Sequence, residues 1–151
     1  MAELGPLADD VIAVGRTRLV DGSLWHEVAA GGTTGWAEGS HLMYLGGVDD
    51  ATSAVVDAIG SRPTVSTMPE LGILVAQQFA SSDPLSVVSL TVPATVGDLG
   101  EITYDVLGLG DDSVGGMRLH VFGTPSNGGF VLMSVERTAL CLRGVVDEAC
   151  V

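Results

Sequence analysis

Few side chains in this sequence could do chemistry, and each candidate group can be weighed on residue type and spacing. Cys141 and Cys150 are the only cysteines, and they stand close to the end of the 151-residue chain. A metal centre would need further ligands, and His26, His41 and His120 form neither an HxxxH nor a CxxC spacing. The simpler expectation is a Cys141–Cys150 disulfide, whose ten-residue loop would add roughly 2.5–3 kcal/mol in the chain-entropy view. Asp111 and Asp112, in the stretch Gly108-Leu109-Gly110-Asp111-Asp112-Ser113, offer the oxygen ligands that calcium prefers. Their spacing fits neither an EF-hand nor a repeated nonapeptide, so a flexible acidic turn is expected. His120, Asp105 and the abundant serines suggest a nucleophilic triad on paper. No Gly-x-Ser-x-Gly elbow accompanies them, and Asp105, Arg118 and His120 all fall on the polar phase of strand-like segments. The expectation is therefore no catalytic residue, no metal ligand and no cofactor.

Charge narrows the partners. Nineteen Asp and Glu stand against six Arg and no Lys, for a net charge of −13. Such a surface offers no counterion-releasing patch to a phosphate backbone, which argues against nucleic acid. Anionic membrane surfaces are disfavoured for the same reason. Hydrophobic residues make up 46% of the chain, and mean hydropathy is +0.43, enough for a packed core and unlike a disordered segment. They are dispersed, with no run near the ~20 residues that a membrane helix needs, so no membrane insertion is expected. A disulfide favours an oxidising compartment, extracellular or in the cell envelope. Met1-Ala2-Glu3-Leu4 lacks the basic and apolar regions of a signal peptide, so the chain reads as a mature or excised piece of a longer precursor whose signal lies upstream.

The elements that must position these groups follow from periodicity. Residues 7–16 read as a turn entering an apolar strand, Asp21-Gly22 as a turn, residues 24–30 as a second strand, and Gly31-Gly32 with Thr33-Thr34 as a turn into a third at residues 35–38. Asp49-Asp50, an Ala51, Ala54, Val55, Ala58, Ile59 stripe and Gly60 predict a short helix. Thr67, Pro69 and Glu70 predict a capped second helix with Leu71, Leu74, Val75, Gln78 and Phe79 on its inner face. Beyond Asp83-Pro84 the period becomes two around Val88, Ile102 and Met117, and in a last strand at residues 130–140. Four strands with short links predict an antiparallel sheet backed by helix.

The segment Gly22-Ser23-Leu24-Trp25-His26-Glu27-Val28, then Gly35-Trp36-Ala37-Glu38 and Leu42-Met43-Tyr44-Leu45, resembles the second half of a bacterial SH3-like (SH3b) domain. In that family a Trp-bearing strand meets a Gly-Trp strand across a tight turn, and a tail ending in Tyr-Leu closes the barrel. Because the family's opening strand would precede Leu7, the domain is expected to be partial. The resemblance implies contact with cell-wall peptide through Trp25, Trp36 and Tyr44, against the plainer reading that the aromatics are packing. Tyr104-Asp105-Val106, Arg118 to Phe122, Ser134 to Arg137 and the terminal cysteine pair are similar to tails of actinobacterial envelope proteins and lipoproteins, which implies export.

The resulting expectation is an α+β chain in three parts: a partial SH3-like β-barrel (1–46), a helical connector (47–66), and an α+β domain with a four-stranded antiparallel sheet backed by helix (67–151). Its function would be that of a non-enzymatic exported binding or accessory module contacting peptidoglycan peptide or another envelope protein. A purely structural or protein-interaction domain is the alternative, and a hydrolase of unrecognised type the third reading.

Overall fold

The computed structural model describes residues 11–151, so the turn expected at residues 7–10 and the segment Met1 to Leu4 lie outside the described residues. The chain divides into two compact units, Met1–Leu42 and Met43–Val151.

In the first unit β1 (Ile12–Val20), β2 (Ser23–Ala30) and β3 (Thr33–Glu38) form an antiparallel three-stranded sheet in sequence order. Both hairpins turn on two residues, Asp21-Gly22 and Gly31-Gly32, and all four have positive φ. That is the type I′ geometry whose twist matches the flanking strands, which is why glycine stands in both turns. Val28 is fully buried on one face of β2.

The second unit is built on a six-stranded antiparallel sheet. Its path runs β4 (Tyr44–Asp50), β9 (Gly129–Cys141), β8 (Val114–Ser126), β7 (Gly100–Leu107), β6 (Val87–Val96), and the short β5 (Thr64–Val65) also pairs with β9. Because β8 takes one side of β9 along its length, β4 and β5 share the other side, at opposite ends. Helix α1 (Thr52–Ile59) bridges between them, and α2 (Met68–Gln77) follows. The N-terminus of α2 is the expected capping box: the Thr67 hydroxyl accepts from the Glu70 amide at 3.4 Å, and the Glu70 carboxylate accepts from the Thr67 amide at 3.3 Å. Gly60, in the left-handed region, closes α1.

Helix and strand periodicities meet in one core. Met68, Leu71, Val75 and Ala76 of α2 and Val55 of α1 pack on Ile102, Tyr104, Val106, Leu119, Val121, Leu132 and Val135. Each fully buried aliphatic side chain among them contributes roughly 1.5–3 kcal/mol relative to exposure. Leu74 and Phe79, expected on the inner face, are half-buried at its margin, while Gly72 lies fully inside. A Cβ at Gly72 would stand 2.8 Å from both Ile102 Cγ2 and Tyr104 Cδ2; its absence lets α2 settle on β7.

The last two strands, β10 (Val145–Val146) and β11 (Ala149–Cys150), form a hairpin, and Cys141 and Cys150 are joined by the expected disulfide. The bond holds this hairpin against β4. The Gly47 amide donates to the Glu148 carbonyl at 2.7 Å. A Cβ on Gly46 would meet Cys141 Sγ at 3.0 Å, and one on Gly47 would meet Glu148 Cβ at 3.0 Å. The two glycines also coincide with a β-bulge between Leu45 and Val48.

The α+β expectation is corrected. Among the described residues 58% are strand and 15% helix, in antiparallel sheets of three, six and two strands, with two α-helices and no closed barrel. The four-stranded sheet gained β4 and β5 because β9, thirteen residues long like β8, has a second side that local sequence does not reveal. Residues 44–50, expected to close a partial SH3-like barrel and open a connector, are instead a strand of the second unit, paired with residues 136–141.

Two stability predictions follow from this packing. Gly72→Ala should raise helix propensity by up to about 1 kcal/mol yet overpack against Tyr104 at a cost of about 1–3 kcal/mol. Urea unfolding should therefore show a net loss. Replacing Cys141 and Cys150 together by Ser should lower unfolding free energy by about 2–3 kcal/mol in the same assay.

Candidate functional site

The three expected binding aromatics fall in two units. Trp25 and Trp36 lie in the first unit, and Tyr44 opens β4 of the second, opposite Cys141 and half exposed.

Within the first unit the register sets Trp25 against Glu38, Glu27 against Trp36 and Arg18 against Trp25. Directly opposed residues in an antiparallel pair share a face, so Arg18, Trp25, Glu27, Trp36 and Glu38 stand together. The Arg18 guanidinium carbon sits 4.2 Å from the centroid of the Trp36 ring, a cation–π distance. Beside it the Arg16 guanidinium forms a two-point pair with the Glu27 carboxylate. The hydrogen bond and charge of Glu27 raise the Arg16 pKa above its ordinary value. Glu27 is only 7% exposed while the Arg16 side chain is largely in solvent, and both tryptophans are half-buried. Indole faces and guanidinium donors together can hold a planar or carboxylate-bearing group. Arg16 and Arg18 were not among the expected site residues, although their spacing of two, alternating with Gly15, Thr17 and Leu19, is the period-two signal that sets both on one face.

On the six-stranded sheet, His120 pairs with Thr103, and Arg118, not His120, stands opposite Asp105. Arg118 binds the Asp105 carboxylate at 3.0 and 3.2 Å. His120 instead lies between two glutamates, Nε2 at 3.2 Å from Glu101 and Nδ1 at 3.8 Å from Glu136, with its ring 4.1 Å from that of Phe122. All of these occupy the face opposite the helices, as the alternation implied. His41 lies 3.9 Å from Glu38 on the surface. No group of three or more His, Cys, Asp or Glu able to hold a metal ion occurs among the described residues.

In the loop after β7, Asp111 is occupied by its own turn. One carboxylate oxygen accepts from the Ser113 amide at 2.8 Å, the Ser113 hydroxyl at 2.9 Å and the Val114 amide at 2.9 Å. The Val114 and Ser113 amides hold its pKa below the usual aspartate value. Asp111 here organises an Asx-type turn, while Asp112 lies 3.5 Å from Arg143.

A shallow groove of about 400 Å³ crosses one end of the six-stranded sheet, lined by Val48, Val114, Met117, Ala139 and the pair Asp49–Arg137. Arg137 meets both carboxylate oxygens of Asp49, and its guanidinium carbon lies 5.6 Å from the Phe79 ring centroid. The Arg137 hydrogen bond lowers the Asp49 pKa, and the Asp49 hydrogen bond raises that of Arg137. No helix among the described residues is long and apolar enough to cross a membrane.

Comparison with protein-family models, curated proteins and solved structures finds no match for this chain. The geometry of the three-stranded sheet therefore carries the functional reading.

The lowered Asp49 pKa has a defined sign. A carboxylate titrating lower in the folded state stabilises it above the ordinary aspartate range, and that contribution is lost as pH falls through the lowered value. Asp49 and Arg137 are both partly exposed, so Asp49→Asn should cost no more than about 1 kcal/mol at neutral pH. The difference from the parent should vanish in acid, which urea unfolding at several pH values between neutrality and the acid limb would reveal.

Proposed function

We propose that the chain is a non-enzymatic binding or accessory module of an exported protein, and that the Arg18–Trp36–Trp25 face of the three-stranded sheet contacts cell-wall peptide. The observation that supports this reading is the guanidinium of Arg18 lying over the Trp36 ring on the same face as Trp25. In a chain of net charge −13, Arg16 of this face is paired with Glu27, so Arg18 over the Trp36 ring is the guanidinium set to receive a carboxylate of a stem peptide. The indole rings supply the apolar contact area that hot-spot residues require. The disulfide fits an oxidising compartment, and the residues around Trp25 and Trp36 are those that resemble bacterial SH3-like domains.

A purely structural or protein-interaction role has one observation in its favour: both tryptophans are half-buried and Glu27 is nearly sealed, as packing residues would be. Sedimentation with insoluble peptidoglycan separates the two. Retention of the parent chain, weakened about tenfold or more by Trp36→Ala and by the exposed-side substitution Arg18→Ala, is expected for wall binding. No retention, or retention indifferent to both substitutions, would assign the face to structure or to another envelope protein.

A further inference from the structure

The tryptophan face of the three-stranded sheet carries Arg16, Arg18, Glu27 and Glu38, and internal pairing uses one charge of each sign. Arg16 and Glu27 bind each other, and only 8% of the Glu27 side chain meets solvent. Arg18 and Glu38 remain. Among the described residues Arg18 has no carboxylate partner; it is exposed and its contact is the Trp36 ring. Glu38 keeps 28% of its side chain in solvent, and its neighbour His41, 3.9 Å away, is itself a surface group. The register fixes where these two unused charges stand. Glu38 follows Trp36 by two residues on β3, which sets it on the same face roughly 7 Å further along the strand. Trp25 stands between them in the pairing order, directly opposite Arg18 on one side and Glu38 on the other.

We propose that Glu38 is a specificity residue of this face: it accepts an ammonium group of the ligand while Arg18 receives a carboxylate, so the ligand is a zwitterionic part of the wall peptide. This rests on the reading of the face as a contact for cell-wall peptide. Charge selects among ligand classes. A purely anionic segment would be repelled by Glu38 and by a chain of net charge −13. A purely cationic one would face the Arg18 guanidinium and give it no acceptor. A segment with a free carboxylate and a free ammonium close together carries no net charge, so it approaches unopposed and satisfies both side chains with charge-assisted hydrogen bonds. Trp25, beside Glu38, adds an aromatic surface that favours an ammonium.

Sedimentation of the full chain with three preparations of the same insoluble peptidoglycan tests this: untreated, N-acetylated to neutralise free amines, and amidated at its carboxylates. The parent chain should bind the untreated wall and lose about tenfold or more on either modified one. Amidation makes the wall less anionic, so general electrostatics would strengthen binding of this acidic chain; a loss is therefore diagnostic of a carboxylate contact. Acetylation makes the wall more anionic, and Glu38→Gln separates that general repulsion from a specific contact. This near-isosteric variant at a part-exposed position should bind the untreated wall about tenfold more weakly and no longer respond to acetylation. Asp57→Asn, on the exposed side of α1, removes the same charge elsewhere and should behave as the parent. Binding by the parent that ignores acetylation or amidation, or a Glu38→Gln variant as sensitive to acetylation as the parent, would overturn the role of Glu38 and leave wall binding standing. No retention of the parent on any preparation would overturn both.

Discussion

Everything in the second unit depends on how the side of β9 away from β8 is satisfied. β9 is thirteen residues long, and an unpaired buried peptide group is costly. β4 covers one end and β5 the other, but between them the chain leaves to form α1. The gap is filled piecemeal. The Val135 carbonyl accepts from the Ala51 amide at 2.9 Å, and the Val135 amide donates to Thr52 Oγ1 at 2.9 Å. Arg62 donates to the Leu132 and Met133 carbonyls at 2.9 and 2.7 Å. The Pro63 carbonyl accepts from the Leu132 amide at 3.0 Å. Residues 50–65 thus complete β9 by leaving the sheet and returning, and that detour delivers α2 to the core.

The same detour explains the glycines. With β4 bound to the end of β9, the disulfide at Cys141 folds the terminal hairpin back over Gly46 and Gly47, where a side chain would collide. Gly72 plays the matching part at the other contact, letting α2 close on Tyr104. These three positions transmit packing between elements far apart in the chain, and none of them lies in an ordinary glycine turn.

The scarcity of cations gives each arginine a definite role. Arg16 pairs with Glu27, Arg118 with Asp105, Arg137 with Asp49, and Arg143 with Asp112. Arg62 binds backbone carbonyls, and Arg18 lies over Trp36. Most are spent on structure, against carboxylates or carbonyls within the fold. Arg18, resting on an aromatic face beside Trp25, is the one whose setting also suits a ligand, and it anchors the functional reading.

Local patterns determined local things. The capping box of α2, the Gly60 stop of α1, the tight turns at Asp21-Gly22 and Gly31-Gly32, the alternation that buries Ile102, Tyr104 and Val106, and the Cys141–Cys150 bond were all legible, because each rests on neighbouring residues or on the absence of another partner. Trp25 and Trp36 were correctly singled out as lying on adjacent strands. Arg16 and Arg18 were not recognised beside them, since cross-strand register is set by pairing and not by spacing along β1. Tyr44, named with the tryptophans through the same resemblance, lies in a strand paired with residues 136–141, a long-range pairing that local sequence does not show. His120 met Glu101 and Glu136 in place of Asp105 because a two-residue shift of register exchanges every cross-strand neighbour while keeping each side chain on its face. The sequence by itself determined the turns, the caps, the helix stripe and the acidity. Only tertiary structure decided that the chain is β-rich and open-sheeted and which charges meet, because both depend on long-range strand pairing that no local pattern encodes.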